Sequence, residues 1–144
     1  MSTTHTWLYW ALAAAFFAAL TAIFAKAGLQ GIDSDFATFI RTLVIVAALA
    51  AFLTYTGKWQ KVDGFSGKNW LFLLLSGLAT GASWLAYFKA LQMGPAAQVA
   101  AVDKFSLVLV ALLAVAFLRE RPNTQEWLGL GLIAGGVVLL ALQR

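Results

Sequence analysis

Apolar residues fall in five long blocks, and polar residues are confined almost entirely to the short joints between them. The blocks run about Trp7–Ala27, Phe36–Thr56, Asn69–Leu91, Gln98–Leu118 and Gln125–Leu142. A bilayer core of roughly 30 Å takes about 20 apolar residues of helix to cross. Each block therefore predicts one transmembrane helix. The joint from Gly28 to Asp35 carries Gly and Asp breakers, and the longest joint, Gly57 to Lys68, carries Gly64 and Gly67. Met93-Gly94-Pro95 closes the third block, with Pro95 suited to the first turn of the fourth. Pro122-Asn123-Thr124 closes the fourth, with Thr124 the expected N-cap of the fifth. No proline interrupts a block. The pattern predicts an all-α integral membrane protein, residues 1–144 forming one five-helix domain without a soluble part.

Five spans put the two chain ends on opposite sides of the bilayer. Trp7, Trp10, Trp59, Trp70 and Trp127, with Tyr9 and Tyr55, all fall near span ends on the N-terminal side. Indole prefers the headgroup level, so their agreement supports a count of five. Charge orients the chain less firmly. Lys58, Lys61, Lys68, Arg119 and Arg121 lie on that side; Lys26, Arg41, Lys89, Lys104 and Arg144 lie on the other. Orientation follows the Lys/Arg bias. Counting only plainly exposed joints, the N-terminal side leads five to two; so weak a bias permits insertion both ways up, and a single orientation with the N-terminus inside stays open beside it.

Composition narrows the chemistry. Hydrophobic residues make up 62% and charged residues 11%, against roughly 25% charge in a soluble domain. There is no cysteine and one histidine, His5, before the first span. Thiolate or histidine metal sites and a cysteine nucleophile have no material, and neither metal nor cofactor is expected. Met1–Thr6 holds no Lys or Arg and the first apolar block is long, so it reads as a mature span rather than a signal peptide. The net charge of +4 fits loop lysines facing lipid phosphates better than nucleic acid.

A few polar groups break the apolar blocks. Arg41, Lys89, Asp103 and Lys104 lie inside or at the shoulders of spans, and Lys26 ends the first. A charge at mid-bilayer costs roughly 2.5–3.5 kcal/mol on insertion scales, so such groups usually face a bundle interior or a wet cavity. Arg41 lies five residues into its block, roughly 7 Å at 1.5 Å per residue. The plainer reading of Lys26 and Lys89 is snorkelling to the headgroups. For Lys89 and Asp103 it is a salt bridge across the hairpin of spans 3 and 4. Asp103 and Lys104, as neighbours about 100° apart on a helix, are not expected to pair.

In span 3, Ser76, Thr80, Ser83 and Tyr87 share a stripe roughly 60° wide. Such a stripe lines a polar cavity or bonds a neighbouring helix. Trp84 borders it, too deep for a belt, and either packs or stacks on a substrate. Gly77 with Gly81, and Gly131 with Gly135, are spaced for close helix packing. The fifth span, without ionisable residues between Glu126 and Gln143, reads as a packing helix.

Several segments carry a resemblance: Thr21-Ala-Ile-Phe-Ala-Lys26, Ala37-Thr-Phe-Ile-Arg41, Ser76-Gly77 and Tyr87-Phe-Lys-Ala-Leu91. Phe117-Leu-Arg-Glu120-Arg and Gly129-x-Gly-Leu-Ile-Ala-Gly-Gly136 complete it. In this order and spacing the chain resembles the EamA-type family of the drug/metabolite transporter superfamily, in particular its bacterial five-helix, half-size members. It departs from the wider family at Val102-Asp103-Lys104, where a proline is common, and at Leu118-Arg119-Glu120, where Leu-Gly-Glu is usual. The resemblance implies one half of a ten-helix transporter with two inverted repeats, completed by an antiparallel homodimer in the bacterial inner membrane. It also places Lys26, Arg41 and Glu120 among gating or structural positions.

The expectation is a secondary transporter of a small metabolite working by alternating access. No phosphate-binding Gly-Lys-Ser/Thr loop supports ATP drive. Asp103 is the candidate proton-coupling carboxylate. Because Lys26, Arg41, Lys89 and Lys104 outnumber it, the substrate is expected to carry an anionic group such as a carboxylate. The expected cavity residues are Arg41, Thr80, Ser83, Trp84, Tyr87, Lys89, Asp103 and Lys104. A non-transporting membrane scaffold or accessory subunit is the alternative. A membrane enzyme is set aside for want of a catalytic constellation.

Overall fold

The computed structural model describes residues 6–142, so His5 and Arg144 lie outside the described residues. Among these residues there is no strand. The long helices are α1 (Thr6–Gly28), α2 (Ser34–Thr56) and α3 (Gly67–Met93), with a single 3-10 turn, Val62–Gly64, in the longest joint. The fourth span divides into α4 (Ala96–Asp103) and α5 (Ser106–Leu113), followed by a π turn over Ala114–Leu118. The fifth is α6 (Thr124–Ala141). Five segments are long and apolar enough to cross a membrane, at the places the hydrophobic blocks predict.

The helix ends follow from local chemistry. Asp33 caps α2, its carboxylate accepting from the backbone N–H of Asp35 at 2.9 Å and Phe36 at 3.1 Å. Gly57 ends α2 in the left-handed region at φ 65°, which glycine enters without steric cost. At α6 the cap is Asn123 rather than the expected Thr124. Its side chain accepts from Glu126 N at 2.9 Å, and the Glu126 carboxylate accepts from Asn123 N at 2.6 Å. A reciprocal capping box satisfies two orphan donors, whereas a cap at Thr124 would have Trp127 three residues on, with no oxygen to reach back. Pro95, likewise, is the cap of α4 and not its first residue.

The break in the fourth span is the main departure from the pattern. Lys104 N donates to Ala101 O and Phe105 N to Val102 O, and Leu107 N and Val108 N also reach back three residues. The ladder is thus 3-10-like around Asp103-Lys104-Phe105, without any proline. Short stretches of this kind inside a helix often mark a hinge. At the far end Arg119 stands at φ 57°, the one described non-glycine residue with positive φ. That conformation explains why a glycine suits this turn in the family resembled.

By compactness the chain falls into two units, Phe24–Gln92 and a second formed by residues up to Ile23 with those from Met93 onward. In the first, Leu29, Ser34, Thr38, Phe88 and Leu91 are buried. In the second, Ala22, Ala114 and Val137 are buried, and α6 packs on α4 and α5. Most large apolar side chains in both are exposed, Leu132 and Phe117 at 79% among them. Lipid tails are as apolar as leucine, so such a surface needs no protein cover, and packing and hydrogen bonds must hold the helices together.

Candidate functional site

In the unit Phe24–Gln92, α2 supplies Arg41 and α3 supplies two rings one helical turn apart. The Arg41 guanidinium carbon lies over Trp84 at 4.5 Å from the ring centroid and over Phe88 at 4.7 Å. Residues four apart on a helix share a face, so α3 presents both rings to the same cation. Tyr87 is within electrostatic range of the guanidinium. Arg41 is half-buried as a residue, but its Nη1 is wholly buried and has no hydrogen-bond partner among the described residues.

Magnitudes show what this arrangement leaves undone. A cation over an aromatic face gains about 0.5–1 kcal/mol when exposed and about 2 when desolvated. Two rings therefore offset much of the roughly 2.5–3.5 kcal/mol that an arginine costs within a span. They do nothing for the N–H groups, which lie in the guanidinium plane and need oxygen acceptors. A buried donor left unmet costs about 1–3 kcal/mol, more when charged. The site is held in place and short of one acceptor.

Several other polar groups of this unit have partners. Lys26, at the end of α1, donates to Leu91 O at 2.5 Å. That carbonyl belongs to the last turn of α3, where helical carbonyls lack partners and a cation is favoured. Gln92 Nε2 donates to Ile32 O at 3.0 Å. Thr38 donates to Ser34 O and Thr42 to Thr38 O, both at 2.8 Å, so these hydroxyls bond within α2. Lys26 thus fastens α1 to α3, as a structural position would, rather than only reaching out to the headgroups.

The hydroxyl stripe of α3 is less directed than its spacing suggests. Thr80 donates to Ser76 O at 2.9 Å, inside its own helix. Ser83 and Lys89 are exposed. Trp84, expected to pack or to stack on a substrate, packs under Arg41 of α2. Phe88 was not singled out beforehand. Its spacing of four from Trp84 and three from Leu91 was the available signal, because that row is the buried face of α3.

In the other unit, Asp103 and Lys104 do pair, Nζ to Oδ2 at 3.5 Å. The expectation that neighbours cannot meet assumed a continuous helix, and α4 ends at Asp103. Both side chains remain well exposed, so the pair adds little stability. Glu120 sits beside Arg121 in the wall of an open cleft of about 790 Å³, with Trp7, Leu107 and Val110. Gly129, Leu130 and Ile133 of α6 line the same cleft, so α6 is a wall as well as a packing helix. A Cβ built on Gly77, Gly81, Gly131 or Gly135 would meet nothing within 4 Å, so these glycines are not close-approach points among the described residues. No cluster of His, Asp or Glu there could hold a metal ion.

Comparison with known proteins agrees with this architecture. Residues 5–142 match the EamA-like transporter family. The chain is 57% identical over 139 residues to an uncharacterized transporter in the cobO 3′ region of a Sinorhizobium species, covering 96% of this chain and 99% of that protein. No solved structure matches it. With five membrane-length helices and a family match across nearly its whole length, the chain belongs to the EamA-like transporter family and is an integral membrane transporter.

Proposed function

We propose that this transporter is a secondary carrier for a small metabolite bearing an anionic group, acting in a bacterial cytoplasmic membrane as an antiparallel homodimer. The anionic preference is carried by one observation. Arg41 is kept inside a span, fixed on two rings, with a buried donor that no described residue meets. Lys89 adds exposed positive charge on span 3. The two-copy assembly rests on the balance of Lys and Arg between the two sides, which permits both insertions. Two inverted copies supply the pseudo-two-fold relation on which alternating access by rocking depends.

Two measurements test this reading. Proteoliposomes holding the full chain should exchange labelled carboxylates faster than neutral or cationic solutes of matching size. Equal exchange of all three classes would remove the anionic preference. C-terminal reporters, one active only inside the cell and one only outside, should both give signal. Signal from one alone would remove the antiparallel dimer.

A further inference from the structure

We propose that the open cleft walled by α1, α5 and α6 holds one phospholipid whose headgroup carries both a phosphate and a primary ammonium. The inference stands apart from the carrier reading, because no residue of the proposed solute site lines this cleft. Its lining lies wholly within the unit formed by residues up to Ile23 and those from Met93 onward. At about 790 Å³ it falls within the roughly 300–1,000 Å³ of sites for small molecules. Its chemistry changes along the spans. Trp7, Glu120, Arg121 and Glu126 stand where helices begin or end, the depth at which lipid headgroups lie. Leu107, Val110, Leu130 and Ile133 line it farther along α5 and α6. From Glu126 to Ile133 is seven residues, roughly 10 Å of helix at 1.5 Å per residue. The lining thus runs from headgroup level into the hydrocarbon.

The charged end has both signs. The one ion pair among the described residues is Asp103 with Lys104, so Arg121 is bridged to neither carboxylate. Glu126 caps α6 through Oε2, and a carboxylate has a second oxygen able to accept. Two carboxylates and one guanidinium suit a headgroup with an ammonium for the acids and a phosphate for the arginine. A phosphatidylglycerol headgroup has the phosphate without the ammonium, and brings a net negative charge to a wall that is already net negative. The apolar stretch has no protein cover, and an acyl chain is the apolar group that the surrounding bilayer supplies. Gly129 keeps this stretch open: a Cβ built on it would meet nothing within 4 Å.

The test releases the full chain from detergent into native mass spectrometry, after equilibration with dioleoyl phosphatidylethanolamine or dioleoyl phosphatidylglycerol. The chains are the same, so only the headgroup differs. The expected result is one phosphatidylethanolamine retained per chain, with phosphatidylglycerol about tenfold or more weaker. Glu120→Gln should lower phosphatidylethanolamine retention about tenfold and leave phosphatidylglycerol no weaker. Arg121→Gln should lower both. Gly129→Leu fills the cleft with a better helix former and should abolish retention of either lipid, with helix content equal to wild type by circular dichroism. That variant decides the matter should a charge variant fold poorly. Soluble phosphoethanolamine at the same concentration should not displace the lipid, since it lacks the acyl chains. The proposal is overturned by equal retention of the two lipids, by unchanged retention in Gly129→Leu, or by displacement with phosphoethanolamine.

Discussion

In Phe24–Gln92 three polar side chains reach from one segment to another, while its hydroxyls bond locally: Lys26 to the last turn of α3, Gln92 to the α1–α2 joint, Arg41 to the rings of α3. In the unit around α4, α5 and α6 the side-chain pairs described join near neighbours in sequence. Asp103 pairs with Lys104, Asn123 with Glu126, and the broken ladder closes on carbonyls three residues back. In a membrane, apolar contact between helices gains little over contact with lipid, so cross-helix hydrogen bonds decide which helices are fastened. The first is a frame fastened between helices and holding a cation; the second has a break in its fourth span and an open cleft.

Substitutions can break this contrast, the largest effects falling in the frame. Phe88→Ala empties a site that is 2% exposed and removes one ring from Arg41, and should cost about 3 kcal/mol. Reversible unfolding in mixed detergent micelles would measure it. A cost near zero would mean that the frame is not tightly packed. Lys26→Met keeps the apolar stem but leaves Leu91 O unmet, and should cost about 2 kcal/mol in the same assay. An unchanged midpoint would return Lys26 to the snorkelling reading.

Effects should be smaller in the other unit. Arg119→Gly relieves a left-handed residue and should raise stability by about 1 kcal/mol. A loss of stability there would show that the Arg119 side chain outweighs its backbone strain. Asp103→Asn should leave the unfolding midpoint almost unmoved, since the pair it breaks is exposed. If Asp103 couples protons, the same variant should abolish the response of uptake to an imposed pH gradient. Gradient-driven uptake equal to wild type would exclude Asp103 from coupling.

Much of this was legible in the sequence because lipid imposes a simple rule on length and polarity. All five spans were readable within a few residues, as was the rarity of charge within them. The caps were less legible. Asn123 and Thr124 are both good cap residues, and only the reach of Glu126 decides between them. The break at Asp103 was hidden because no proline or glycine marks it. The partner of Arg41 was hidden for another reason: periodicity shows which residues of α3 share a face, but not which helix that face meets. Trp84 therefore read as either a packing or a stacking ring, and the cation over it could not be named.

The account holds that Arg41 is retained for solute rather than for folding. Arg41→Met tests this most directly, with flux and unfolding measured on the same reconstituted protein. Removing a half-satisfied charge from a span should leave stability within about 1 kcal/mol of wild type, or raise it, while carboxylate exchange falls at least tenfold. Marked destabilisation of Arg41→Met, with exchange per folded molecule preserved, would contradict the account.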